Sequence, residues 1–355
     1  MVIRLHLALL AFLIAAPLGI ARAQTERIAI VYQGAPGDYF YQQLERGCSE
    51  LAAKEMGDVA CDVRPVTAPT PLSNTLRDLI EGDYAAIAVW PVDPNELLSA
   101  LADARSAGIP ILTFNSDLPP EHKDLRLAYF GNDQRELGTI FGKLVRQFAQ
   151  DGGLICMLYD PGNPAEVERL KGMRDVLPQP IPPDPLTPGS TGTIGWEEAP
   201  GCPIAVANDV EGAAKQVGDI LDSISGLQAL ISLNSRSQER DETYRQAVTP
   251  FIPKILSFDL GVFGYGTSKT QEDFLERGTS SVQVGERPLK LGYDLGYAMK
   301  RVLQRKELVI LDGNGRPIIK SIDMLQPQDR TPPIGFDVCR RDNAFECTGR
   351  STAIQ

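Results

Sequence analysis

Histidine is scarce in this sequence, which has two in 355 residues. His6 lies near the N-terminus, and His122 lies in the polar stretch Pro-Pro-Glu-His-Lys-Asp, where an exposed surface position is the alternative to general-base chemistry. The motifs G-x-S-x-G and H-E-x-x-H are absent, and Thr267 stands where a phosphate-binding loop after Gly261 needs lysine. These absences predict a protein that is not an enzyme and that holds no metal and no cofactor.

Basic residues and long apolar runs are also few. The sequence has 35 Lys and Arg against 46 Asp and Glu, a net charge of -11, which disfavours nucleic acid as a partner. The apolar run over 7–20 is shorter than the ~20 residues that span a bilayer, contains Pro17 and Gly19, and is followed by Ala-Arg-Ala. It predicts a signal peptide over 1–23, cleaved before Gln24, and a periplasmic protein.

The sequence contains six cysteines but no C-x-x-C pair, which disfavours a zinc ribbon and a thioredoxin-like site. All six follow the predicted signal peptide, as expected in an oxidising compartment. Their local spacing favours the disulfides Cys48–Cys61 and Cys339–Cys347. Cys156 lies inside an apolar run and is interpreted as a core residue.

Short apolar runs alternate with amphipathic segments of helix length along the rest of the chain, which is long enough for about two domains of roughly 150 residues. The strand-like runs are 27–32, 60–66, 85–90, 109–114, 127–130, 154–159, 203–207, 229–233 and 254–258. The alternation predicts an α/β fold with two doubly wound parallel-sheet lobes. The proline-rich segment 178–203 interrupts it and is interpreted as a surface excursion, in which Trp196 is either a ligand-facing ring or a packing residue.

Six short strings occur in order along this pattern. They are DYFY at 38–41, ILTFNSD at 111–117, GNDQ at 131–134, GNPAEVERLKGM at 162–173, SFD at 257–259 and VGERP at 284–288. Their order and spacing resemble the type I periplasmic solute-binding proteins of ABC transporters, in the ribose and related sugar-binding branch. The resemblance extends from about residue 27 to residue 343.

The resemblance implies two lobes joined by a three-segment hinge. The N-terminal lobe would comprise 24–130 and 287–312, and the C-terminal lobe with the tail 131–286 and 313–355. It also implies a monomer that captures a small polar ligand, a monosaccharide or polyol, and delivers it to an ABC permease. Two alternatives stay open: a periplasmic partner that presents the ligand to a signalling receptor, and a secreted hydrolase that uses Asp259 and Glu286.

Nine candidate ligand-binding residues match the strings or end the predicted strands, where ligands of such sheets bind. Aromatic rings can lie on the C–H face of a sugar, amide and carboxylate groups can bind hydroxyls, and a guanidinium offers a planar fork of donors. The alternatives are helix packing for the aromatics, capping and turn roles for the amides and carboxylates, and a surface ion pair for the arginine. The nine are Asp38, Phe40, Tyr41, Asn115, Asp117, Arg169, Asn234, Asp259 and Glu286.

Glu286 departs from the resemblance, which has glutamine at this position. A carboxylate only accepts hydrogen bonds, so the ligand must present a donor there, either a hydroxyl or an amine. An amino sugar or another cationic polyol is therefore an alternative to a neutral sugar. The competing interpretation is that Glu286 pairs with Arg287 or another cation in the hinge.

Overall fold

A computed structural model of the chain describes residues 25–34, 39–57, 59–67, 69–149, 152–177 and 195–344. The predicted signal peptide, Asp38 and Cys347 lie outside the described residues, as does the larger part of the predicted excursion.

The first sheet is entirely parallel and has the strand order β2-β1-β3-β4-β5. Alternate residues of β1 enter two different apolar cores, because successive side chains of a strand point to opposite faces. Its strands are β1 (Glu26–Gln33), β2 (Val59–Val66), β3 (Ala86–Val89), β4 (Ile111–Phe114) and β5 (Ala128–Phe130). The helices of this lobe are α1 (Tyr39–Arg46), which continues through a π-helical segment (Gly47–Ala52) into α2 (Ala53–Met56), α3 (Leu72–Glu81) and α4 (Pro94–Ser106).

The second sheet has the order β14-β11-β10-β9-β6-β7, with β8 paired to β6, and the edge strand β14 alone is antiparallel to its neighbour. Its strands are β6 (Gly152–Tyr159), β7 (Gly195–Glu198), β8 (Ile204–Ala205), β9 (Leu227–Ser232), β10 (Gly261–Tyr265), β11 (Val282–Glu286) and β14 (Phe336–Arg340). Its helices are α5 (Gln134–Phe148), α6 (Pro164–Val176), α7 (Val210–Ser223), α8 (Asp241–Val248), α9 (Ile252–Leu256) and α10 (Lys269–Arg277). Apolar cores on both faces of both sheets confirm the predicted doubly wound lobes.

The chain crosses between the lobes at three places. It first crosses between β5 and α5, and then returns after β11 to form α11 (Pro288–Leu303) on the first lobe. The hairpin of β12 (Glu307–Leu311) and β13 (Pro317–Ser321) follows, and Leu308, Ile310 and Ile334 are all buried in the first lobe's core. The third crossing therefore lies at Gly335, which places the segment 313–334 with the N-terminal lobe and not, as predicted, with the C-terminal one.

One predicted strand is wrong. The run 254–258 is part of the short helix α9 and the turn after it, and β10 begins at Gly261. A second difference lies inside the proline-rich segment, where the described residues 195–198 form the edge strand β7. Trp196 in that strand is buried in the core beside α5 and α6, so it is a packing residue.

Two disulfides lie within the described residues. Cys48–Cys61 joins the π-helical segment to β2 and confirms that prediction. Cys156 is buried in the core of the C-terminal lobe, as predicted, and is also paired with Cys202 across a sequence separation of 46, a disulfide that was not predicted. The pairing Cys339–Cys347 stays a prediction, because Cys347 lies outside the described residues.

Candidate functional site

A cleft of about 460 Å³ lies between the lobes, at the carboxyl ends of their strands. This is where ligands of doubly wound sheets bind, and the volume falls in the range of small-molecule sites. Six of the nine candidate residues line it: Phe40, Tyr41, Asn115, Arg169, Asn234 and Glu286.

Aromatic side chains form the wall on the first lobe. Tyr39, Phe40 and Tyr41, at the start of α1, line the cleft together with Trp90, which follows β3. The Tyr41 ring stacks on Tyr32 with 3.8 Å between ring centroids, so the packing role also applies to it. The Trp90 indole donates a hydrogen bond to the Ser116 hydroxyl at 3.2 Å, which fixes the plane of its ring. Trp90 was not predicted, although its position after an apolar strand could have indicated it.

Asn115 follows β4 and has a backbone φ of 59°, a left-handed conformation that asparagine tolerates better than most residues. Its backbone carbonyl accepts a hydrogen bond from the Tyr129 hydroxyl at 3.1 Å. Burial raises the pKa of Tyr129, so that hydroxyl keeps its proton and remains a donor. The sharp turn places Asn115 and Ser116 at the cleft.

Asp117 is not among the residues that line the cleft, contrary to the prediction. Its two carboxylate oxygens accept hydrogen bonds from Arg126 at 3.0 and 2.7 Å, and Thr113 donates to it at 2.8 Å. Burial alone would raise the pKa of Asp117, but the hydrogen bonds and charge of Arg126 outweigh burial and lower it. Asp117 is therefore a structural ion-pair residue below the β4 turn.

Arg169 is presented by α6, whose first turn is capped by Asn163 and begins at Pro164. Helices α5 and α6 pack closely through Gly138 and Gly172: a Cβ at Gly138 would overlap the carbonyl oxygen of Arg169, and Gly172 makes the same approach to α5. The close approach holds Arg169 beside the start of α5, the first helix of the second lobe.

Gln134 connects Arg169 to Glu286. Its amide oxygen accepts a hydrogen bond from Arg169 Nε at 2.8 Å, and its amide nitrogen donates to Glu286 Oε1 at 3.3 Å. Tyr265 makes a second connection: the Arg169 guanidinium lies 4.1 Å from its ring centroid, and its hydroxyl donates to Glu286 Oε2 at 2.6 Å. Burial and the charge of Glu286 raise the pKa of Tyr265, which therefore stays protonated. Sequence reasoning identified Arg169 and Glu286 but neither connecting residue.

Glu166, one helical turn before Arg169, also lines the cleft and was not predicted. It is 3% exposed and accepts hydrogen bonds from the Asp160 backbone N–H at 2.6 Å, from Asn163 at 3.0 Å and from Asn234 at 2.7 Å. Burial raises its pKa, and these three uncharged donors favour its ionised form. The predicted residue Asn234 thus lines the cleft as the partner of a buried carboxylate.

Asp259 does not reach the cleft. It lies before β10, whereas Glu286 ends β11, and the two strands are parallel neighbours. The two carboxylates therefore lie at opposite ends of these strands, more than about 16 Å apart, because β10 alone spans about that length. Asp259 accepts a hydrogen bond from Ser257 at 2.6 Å in the turn after α9. The string at 257–259 was assigned to the end of a strand, but these residues form the turn before β10, which begins at Gly261.

A single side chain contacts all three hinge segments. Asn132 lies in the first crossing and is 4% exposed. Its amide nitrogen donates to Glu286 Oε1 in the second crossing at 3.0 Å and to the Gly335 carbonyl in the third at 3.3 Å, and its oxygen accepts from the Gly335 N–H at 2.8 Å. Arg287 pairs with Asp337 at 2.8 Å and not with Glu286, contrary to the ion pair considered for that carboxylate. Glu286 therefore belongs to the cleft and to the hinge at once.

A family model described as a periplasmic binding protein domain matches residues 28–307. The chain belongs to this family. None of the helices in the described ranges is long and apolar enough to cross a membrane. The same ranges contain no group of three or more histidine, cysteine or acidic side chains placed to hold a metal ion.

Among curated proteins, the chain is 25% identical over 116 residues to the xylose/arabinose-binding protein XylF of Sulfolobus acidocaldarius, and this match spans 29% of that protein's length. Among solved structures, a sugar-binding protein of a sugar ABC transporter from Bacillus halodurans has a TM-score of 0.69 at 16% identity, covering 91% of this chain and all of that one. A solute-binding protein from Agrobacterium vitis with bound D-fucose has a TM-score of 0.69 at 17% identity, covering 92% of this chain and 99% of its own. At these identities the likeness shows the fold of the family.

Proposed function

We propose that this protein is the substrate-binding subunit of an ABC importer, which captures a monosaccharide or a related polyol in the periplasm as a monomer. The observation that carries the proposal is the inter-lobe cleft, where aromatic rings of one lobe face a guanidinium and amides of the other. An aromatic face contacts the C–H surface of a sugar while convergent polar groups bind its hydroxyls. The family match and the sugar-binding proteins among the similar structures support this assignment.

The roles of the cleft residues follow from their chemistry. Phe40 and Trp90 provide ring faces, and the amide of Asn115 can both donate to and accept from hydroxyls. Arg169 uses Nε on Gln134 and one terminal nitrogen on the Leu233 carbonyl, at 2.7 Å, which leaves the other terminal nitrogen for a ligand oxygen. Because these groups come from both lobes, closure about the hinge would complete the site and bury the ligand.

The hydrolase alternative has no support in this geometry. It needs Asp259 and Glu286 on either side of one bond, and the carboxyl groups of glycosidases lie within about 10 Å of each other. The two residues lie at opposite ends of neighbouring strands. We therefore propose binding without chemical conversion of the ligand.

The first experiment is a thermal-shift screen of the protein lacking residues 1–23 against sugars, polyols, amines and nucleosides. A ligand at 100 times its dissociation constant should add about 2.7 kcal/mol to the free energy of unfolding. Calorimetry on the best ligand should then show that Phe40→Ala and Arg169→Ala each weaken binding by at least ~1 kcal/mol. Full affinity in either variant would remove that residue from the site.

Two matched controls separate contact with the ligand from general damage. Arg174→Ala removes an arginine from the same helix as Arg169, where it pairs with Glu198 outside the cleft. Phe258→Ala removes an aromatic ring that is 74% exposed and also outside the cleft. Both controls should bind the ligand as the unmodified protein does.

Export and transport are tested in cells. N-terminal sequencing of the periplasmic fraction should find a mature chain that starts at Gln24. Deleting the gene should abolish uptake of the labelled ligand. Unchanged uptake, with loss of a ligand-dependent signalling response, would contradict the transport role and favour the sensing partner.

A further inference from the structure

The cleft carries more acidic than basic side chains. Four carboxylates line it, those of Glu166, Glu239, Asp241 and Glu286, whereas Arg169 is the one cationic residue among its described lining. Asp241 has its own ion-pair partner, Arg245, at 2.7 Å. Within the described chain, the other three carboxylates have no Lys or Arg nitrogen within 4.0 Å. The cleft therefore keeps a net negative charge.

Two of these charges are buried and held by uncharged groups. Glu166 is bound by a backbone N–H and two asparagine amides, and Glu286 by Asn132, Gln134 and the hydroxyl of Tyr265. Arg169 makes no direct hydrogen bond to either, since its hydrogen bonds go to an amide oxygen and a backbone carbonyl, and its single positive charge, which lowers the pKa of Glu166, cannot balance both carboxylates. Uncharged donors of this kind favour the ionised form of a carboxylate without cancelling its charge.

On closure, a neutral ligand would displace water and leave these charges without a counterion, which is costly. An ammonium group on the ligand would supply the counterion. Glu286 accepts three hydrogen bonds, whereas a carboxylate has about four acceptor positions, so one remains for such a donor. The ring faces of Phe40 and Trp90 attract a cation as well as the C–H surface of a sugar.

We propose that the ligand is a sugar or polyol that carries a protonated amine. This inference rests on the proposed function and narrows it: the hydroxyls would bind Arg169 and Asn115, and the ammonium would bind Glu286. The exposed Glu239, at the rim of the cleft, would attract the cation before closure.

The experiment compares ligands that differ by the amine alone. Calorimetry is run on D-glucose, D-glucosamine and N-acetyl-D-glucosamine, and on the corresponding galactose series, at low and high salt. The amine should bind at least about tenfold more tightly than its neutral parent, a difference of about 1.4 kcal/mol. The acetylated form has the nitrogen but not the charge, so it should bind no more tightly than the neutral parent. High salt should weaken the binding of the amine and not that of the two uncharged ligands.

Charge-removing variants locate the effect. Glu286→Gln should reduce the affinity for the amine about tenfold more than it reduces the affinity for the neutral parent. Glu239→Gln changes an exposed position that does not endanger folding. It should weaken the binding of the amine and reduce the salt dependence of that binding. Glu242→Gln removes an equal charge from α8 outside the cleft and should change neither.

The outcomes distinguish the two levels of the argument. If neutral sugars bind as tightly as their amines, without salt dependence, the cationic ligand is wrong and the sugar-binding function stands. If neither series binds and the polyols of the screen also fail, the proposed function itself is overturned.

Discussion

The hinge contacts of Asn132 predict a loss of both stability and affinity in the variant Asn132→Ala. The substitution removes one hydrogen bond to Glu286 and two to the backbone of Gly335. At a net contribution of about 1 kcal/mol for each buried hydrogen bond, the free energy of unfolding should fall by about 3 kcal/mol. The Gly335 N–H is also left without its partner, and an unpaired buried donor adds to the loss of stability.

Urea denaturation followed by circular dichroism measures the stability, and calorimetry measures ligand affinity. Affinity should fall as well, because Glu286 loses a donor that orients it and the three crossings lose a shared contact. Asn343→Ala is the matched control: its side chain bonds to the backbone of Arg340 and Val338 within the C-terminal lobe alone. That variant should lose stability and keep its affinity. An Asn132→Ala protein within about 0.5 kcal/mol of the unmodified one would refute the reasoning.

Two further predictions concern stability. Replacing Cys156 and Cys202 by alanine should lower the free energy of unfolding by about 4 kcal/mol, because this disulfide closes a separation of 46 residues. Replacing Cys48 and Cys61, with a separation of 13, should lower it by about 3 kcal/mol. Equal losses in denaturant titrations would contradict the chain-entropy account. Asp117→Asn should cost about 3 kcal/mol at pH 7, since it leaves Arg126 buried without its carboxylate. The pKa of Asp117 is lowered from 3.8, so its contribution is present above that pH and is lost as pH falls through the lowered pKa. The difference in free energy of unfolding between the two proteins should therefore stay constant from pH 7 to about pH 4 and shrink between about pH 4 and pH 2, and a difference that stays constant over the whole range would exclude the ion pair as its cause.

The fold was predictable because apolar strands buried on both faces alternate with amphipathic helices over the whole chain. The failure at 254–258 has a local cause: five residues with apolar positions do not distinguish a strand from a helix, and Asp259 was assigned to the cleft through that error. The third crossing was misplaced because the sequence of a short hairpin does not say which lobe it packs on.

Within the site, the sequence predicted residues that follow strands or match a family string. Arg169 and Glu286 were identified in this way, and both line the cleft. Gln134 and Tyr265 were missed because their importance depends on the distance between elements far apart in the chain, which one sequence does not contain. Glu166 was missed because an acidic residue in the first turn of a helix is ordinarily explained by the helix dipole.

The three crossings also determine when each lobe can finish during synthesis. All five strands of the N-terminal sheet are present once Phe130 has been made, yet one face is covered jointly by the α1–α2 segment and α11, and Leu291, Leu295 and Met299 of α11 come after the entire run from β6 to β11. The C-terminal sheet in turn waits for its edge strand β14. Domains usually mature in order from the N-terminus. In this chain the first lobe must keep part of an apolar face uncovered while most of the second is made, and a chain that stops after β11 would leave that part exposed.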